Sequence, residues 1–113
     1  RLSGLKSLDI MRSAGVTMAY GTDLLGDMHR RQSEEFTIRA QVLPVQEVIA
    51  SATSVAADVV GMKGRLGVIA PDAFADLIVV DGDPLKGIAV LTGQGDRMAA
   101  IMKGGEFVKN TLN

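Results

Sequence analysis

The chain contains no cysteine and a single histidine, His29. The first absence excludes disulfide staples and thiolate metal sites. The second bears on zinc, which without cysteine takes three or four ligands drawn mostly from histidine. The 113 residues cannot build that kind of site alone. Either the chain does no metal chemistry, or it is a piece of something larger. A start at Arg1, already inside a helical pattern, points to the second reading. No apolar run approaches the ~20 residues that span a bilayer. No segment has the charged and apolar regions of a secretory signal. A cytoplasmic location is therefore the expectation, with no membrane partner. A formal net charge of -1 gives no reason to expect nucleic acid either.

What remains is an ordinary globular composition, 47% hydrophobic and 22% charged, too apolar for a disordered chain. Leu2, Leu5, Leu8 and Met11 recur every three residues, with Lys6, Asp9 and Arg12 on other faces. That spacing predicts an amphipathic helix stopped by Gly15. Val16–Tyr20 follows at once, and its apolar run predicts a strand buried on both faces. A helix joined tightly to a buried strand is the αβ step of a parallel α/β fold.

Gly21 and Thr22 then lead to Asp23, just beyond the strand's carboxyl end. Loops at that end of parallel strands converge on one face and carry the chemistry. Asp23 is thus a candidate metal ligand or general base. The plainer alternative is an Asp that caps a helix or closes a turn. The loop from Leu24 to Gln32 also holds Asp27, His29, Arg30 and Arg31. His29 is a candidate substrate contact, set against a solvated loop histidine. Arg30 and Arg31 suit a substrate carboxylate, but pairing with Glu34 and Glu35 across a turn is the simpler expectation.

Ser33 is placed to cap a helix over Glu34–Val42, although the apolar residues there make no clean stripe. Pro44 suits the first turn of a helix over Val45–Ser51. A further helix starts at Thr53 or Ser54 and runs to Val60, with Gly61 as its stop. Beyond Gly61 the texture changes to turns and β-branched runs. Ala75–Asp81 predicts a strand, Leu85–Leu91 a short helical piece, and Arg97–Met102 a second strand. Lys103-Gly104-Gly105 predicts a tight turn into a return strand, Glu106–Lys109. Residues 1–62 and 63–113 are accordingly expected to form two units, one α/β and one β-rich.

Four segments, in order, resemble the C-terminal part of a metal-dependent amidohydrolase of the imidazolonepropionase-like or prolidase-like branch. AGVTMAYGTDLLG is similar to the family's eighth barrel strand with its terminal Asp. ATSVAADVVGM is similar to the helix motif ATxxAAxxLG. GRLGVIAPDAFADLIVVDGDPL is similar to GxIxPGKxADLVVLDxxPL, and MAAIMKGGEFV to VxxVxKxGxxV. The resemblance implies the last strand and flanking helices of a TIM-like (β/α)8 barrel over 1–62. It implies the C-terminal strands of a small β-sandwich domain over 63–113, the whole being a fragment. Pro71-Asp72-Ala73 departs from the family's PGK turn, but Asp tolerates a left-handed turn position.

The same resemblance implies hydrolysis of C–N bonds in amides, cyclic amides or dipeptides by metal-activated water. One or two divalent metals, zinc foremost, are implied, with Asp23 as a ligand and as the group that moves the proton. The other ligands would lie upstream, on the missing N-terminal part of the barrel, which is this chain's implied partner. A small amide or peptide is the implied substrate, and a homo-oligomer is compatible. A non-catalytic structural or assembly subunit of the same superfamily is the alternative. Asp76 is expected to be structural, a strand-start carboxylate bonding nearby backbone N–H groups.

Overall fold

A computed structural model describes residues 2–21 and 32–112 of the chain. Helix α1 spans Leu2–Ser13. It ends where Gly15 takes φ 74, freeing the Val16 N–H to reach the Met11 carbonyl and the Gly15 N–H to reach Arg12. Those two bonds are a Schellman cap, which satisfies orphan carbonyls of the last turn. Leu5, Leu8 and Met11 form its half-buried stripe, while Ile10 on another face is exposed.

Val16–Tyr20 differs from expectation. Among the described residues nothing pairs with it as a strand, and Val16 is 48% exposed. A strand exists only as part of a ladder, and the strands described here pair among themselves, further along the chain. The segment is held instead at Tyr20, whose N–H donates to the Ser51 carbonyl at 2.8 Å. A groove lined by Val16, Met18, Leu43 and Val55 runs beside it.

After residue 31 the chain makes a 3₁₀ turn into α2, a single short helix over Glu35–Arg39. It is shorter than the expected Glu34–Val42, and Ser33 does not cap it. Pro44 bends the backbone before α3, Val45–Ala52, and its carbonyl accepts the N–H groups of Glu47 and Val48. Thr53, at φ -123 and ψ -95, breaks α3 from α4, Ser54–Val59. Gly61 closes α4 as Gly15 closes α1: Met62 N–H reaches Ala57 and Gly61 N–H reaches Asp58.

The second half is an antiparallel meander of β1 (Leu77–Val80), β2 (Met98–Lys103) and β3 (Glu106–Asn110). A 3₁₀ turn, Ile88–Leu91, lies between β1 and β2. Gly104 and Gly105, both at positive φ, make the two-residue hairpin that pairs Lys103 with Glu106. Asp76, just before β1, accepts the backbone N–H of Gly104 in that turn at 2.7 Å through its Oδ1, the structural role expected of it. Asp72 sits at φ 68, the left-handed position foreseen for it.

The buried core is Leu43 from the turn between α2 and α3 and Val48 from α3, with Ile88 and Leu91 from the 3₁₀ turn. Met18, Phe36, Val80 and Met98 pack around them. The core therefore draws on both halves of the sequence.

Candidate active site

Asp23 and His29 lie outside the described residues, as do Asp27, Arg30 and Arg31. What the structure describes is the frame on either side of them. On the amino side stands Tyr20, half-buried, its backbone tied to the end of α3. Its hydroxyl donates to the Gln32 carbonyl at 2.7 Å, joining positions 12 apart in sequence. Its ring stacks on Phe36, centroids 4.6 Å apart and planes 32° apart. The Arg39 guanidinium lies over the Tyr20 ring, 5.4 Å from its centroid.

Arg39 is 7% exposed, an uncommon place for a guanidinium. Its Nε meets Glu35 Oε1 at 3.3 Å, one helical turn earlier, whereas one of its two terminal nitrogens, Nη1, is buried with no hydrogen-bond partner. Burial, reinforced by the Glu35 charge and partly opposed by Arg39, pushes the Tyr20 hydroxyl up to about 12. The hydroxyl therefore keeps its proton, and its role as donor, throughout the neutral range.

On the carboxyl side, Ser33 and Gln94 bond each other twice. Ser33 N–H donates to Gln94 Oε1 at 3.3 Å, and Gln94 N–H donates to Ser33 Oγ at 3.2 Å. This explains why Ser33 caps no helix: its hydroxyl is already used across the molecule. Gln94 adopts φ 53, a backbone position that non-glycine residues seldom take.

Among the described residues no group of three or more His, Cys, Asp or Glu side chains comes together to hold a metal. Arg12 and Glu47 bridge α1 and α3 at 2.9 Å on the surface. Hydrogen bonding and the opposite charge hold the Glu47 carboxyl below its usual range and raise Arg12.

Tyr20, Arg39 and Gln94 were not singled out from sequence. Arg39 had a readable signal. Phe36, Arg39, Ala40 and Leu43 sit at i, i+3, i+4 and i+7, an inward stripe with a cation in it. The apolar residues alone leave the stripe broken, and Arg39 completes it. Nothing in sequence pairs Ser33 with Gln94, 61 residues away.

A solved amidohydrolase superposes on 97% of this chain and 27% of its own, with a TM-score of 0.95 and 54% identity. A solved prolidase, complexed with N-methylphosphonate-L-proline, matches 95% of this chain and 26% of its own at 51% identity and a TM-score of 0.91. A curated 5-methylthioadenosine/S-adenosylhomocysteine deaminase from Syntrophobacter fumaroxidans (strain DSM 10017 / MPOB) is 32% identical over 90 residues, 70% of this chain and 20% of that protein. The chain thus spans about a quarter of the solved relatives and a fifth of the curated one. The helices, the meander and the Tyr20 frame together follow the backbone of one portion of such enzymes. The amidohydrolase family model matches residues 3–108, and the chain belongs to that family.

Proposed function

We propose that this chain is part of a metal-dependent hydrolase of C–N bonds whose substrate is a dipeptide of the kind a prolidase cleaves. The observation that carries the substrate class is the 51% identity, over 95% of the chain, to the prolidase. A divalent cation, zinc by first choice, would polarise the scissile carbonyl and acidify a water when bound. Its ligands other than Asp23 are expected outside this chain. Asp23 has the chemistry for the proton traffic: a carboxylate can take the proton of the attacking water and return it to the departing amine nitrogen. His29, six positions further on, is proposed as a substrate contact.

The experiment uses the complete protein. X-Pro dipeptides should be hydrolysed, and chelation should abolish the activity. Replacing Asp23 with Asn keeps the side chain's size and removes its basicity. Turnover should fall by at least the ~100-fold typical of a general acid–base group. Asp27→Asn should leave turnover nearly intact. Normal turnover in the Asp23 variant would end the proposal.

A second reading rests on the deaminase relative. Deamination is also hydrolysis of a C–N bond, with ammonia as the leaving group. Ammonia release from 5-methylthioadenosine, with no cleavage of X-Pro, would replace the first reading by the second. Neither activity, in a protein lacking upstream metal ligands, would return the structural-subunit alternative.

A further inference from the structure

Asp81-Gly82 is the one place in these 113 residues where an aspartate or asparagine precedes glycine. A side-chain carboxyl so placed is open to attack by the next backbone nitrogen, because glycine puts no side chain in the way. Asp81 is the first residue beyond β1, and its side chain is 81% exposed. The fold itself holds glycine at 82. Its φ is 134, and a Cβ there would lie 3.1 Å from a γ-methyl of Val90. Arg97, the residue before β2, grips the same turn from across. Its carbonyl accepts the Asp81 N–H at 2.7 Å, and its Nη2 donates to the Asp81 carbonyl at 2.9 Å. Its Nε stands 3.9 Å from Asp81 Oδ2. The Gly82 N–H donates to the Val80 carbonyl at 3.1 Å.

From this arrangement we infer that Asp81 is a site of spontaneous isomerisation to isoaspartate, and that Arg97 restrains it. In the first step the Gly82 nitrogen bonds to Cγ of Asp81 and loses its proton, and one carboxyl oxygen leaves as water. The succinimide then takes a water back at either carbonyl. Attack at the main-chain carbonyl frees an α-carboxyl and leaves the chain running through the side chain, one methylene longer. Attack at the other restores aspartate. One water leaves and one returns, so no co-reactant is needed. Ring closure requires the Gly82 nitrogen to be freed and turned onto Cγ. The bonds from Arg97 and to Val80 must therefore open first, which makes local opening of this turn the gate. The isomer would lengthen the backbone at the exit of β1, next to the pairing of Val80 with Met98.

The test is prolonged incubation of the complete protein at neutral pH. Isoaspartate is read by enzymatic methyl transfer to the new α-carboxyl and by peptide mapping, since the isomer elutes apart at unchanged mass. The unsubstituted protein should accumulate it at position 81. Arg97→Gln should do so about three- to tenfold faster, which is what one hydrogen bond is worth in an opening equilibrium. Asp81→Asn should form the same ring faster still, with ammonia as the leaving group. Asp81→Glu, whose longer side chain closes such a ring far less readily, should lose the signal. Amide exchange along β2 should stay as it was in Arg97→Gln; faster exchange throughout the sheet would assign the effect to unfolding and overturn the restraint. Equal rates with and without Arg97 would overturn it too. No isoaspartate at 81 in either protein, or methyl acceptance undiminished in Asp81→Glu, would overturn the site itself.

Discussion

Gly67 occupies a place no other residue can take without moving backbone. At φ +71, a Cβ built on it would lie 2.3 Å from the Thr53 carbonyl oxygen and 2.5 Å from its carbon. This is the crossing where the connection toward β1 passes the break between α3 and α4. Gly61, at φ +75, has open space around its would-be Cβ. Gly61→Ala therefore meets only the left-handed penalty of roughly 1–2 kcal/mol. Gly67→Ala adds overpacking and should be worse by a further ~1–3 kcal/mol. Denaturant midpoints of the two variants in the complete protein check the difference; equal losses would refute the crowding argument. Sequence shows a glycine at each position but not which one has a carbonyl against it. It did show that Asp72 could serve in a left-handed turn, since the short polar side chain of Asp favours that conformation. Asp23 rests on motif and resemblance alone, and it lies outside the described residues.

At the scale of elements, the helices and hairpin were readable because their signals are local. Gly15 and Gly61 stop α1 and α4 with the same pair of backbone bonds, and Gly104-Gly105 turns the hairpin. Val16–Tyr20 was legible in composition but not in pairing, because a ladder depends on neighbours that a single run of residues does not reveal. Helix α2 was obscured by Arg39, whose inward position depends on the aromatic pair Tyr20 and Phe36. Its energetics are also unusual. The guanidinium gains a partner in Glu35 and a ring face, yet leaves Nη1 unmet in the interior. Replacing a buried ion pair by apolar side chains is often neutral, and Glu35, the partner left behind here, still reaches water at 22% exposed. Arg39→Met should thus change stability by less than about 1 kcal/mol, since it fills the space and removes the unmet nitrogen. Arg39→Ala keeps neither volume nor charge and should cost about 2 kcal/mol or more. Thermal melts of both variants in the complete protein decide the point. A large loss in Arg39→Met would mean that the charge itself, and not the packing, holds α2.

For the whole molecule the question is how much of this surface is meant to face water. The described core is small: Leu43, Val48, Ala57, Ile88, Leu91 and Ala100 are the buried apolar residues, and Val48 is the one large side chain fully enclosed. Against it stand Ile69 at 91% exposed, Val108 at 70% and Val60 at 66%. The meander shows apolar residues on exposed faces, with Ile78, Val79 and Phe107 all open. A compact domain of this length has a radius of gyration near ~13 Å; this chain has 14.7 Å and extends over 43 × 31 × 29 Å. The solved relatives are roughly four times as long, so most of what surrounds the matching portion in them is not in this sequence. Apolar area of this kind stabilises a fold only when covered, at roughly 25 cal/mol per Å² removed from water. Left open, it favours self-association over a unique monomer. The 113 residues expressed alone should therefore be partly folded or aggregated, with far-UV helix signal but a broad, concentration-dependent melt. The complete protein should melt cooperatively at a far higher temperature. Circular dichroism and sedimentation velocity on the purified 113-residue chain test this directly. A sharp, reversible two-state transition in a monomer would show that the small core suffices, and that the exposed apolar faces have no covering to wait for.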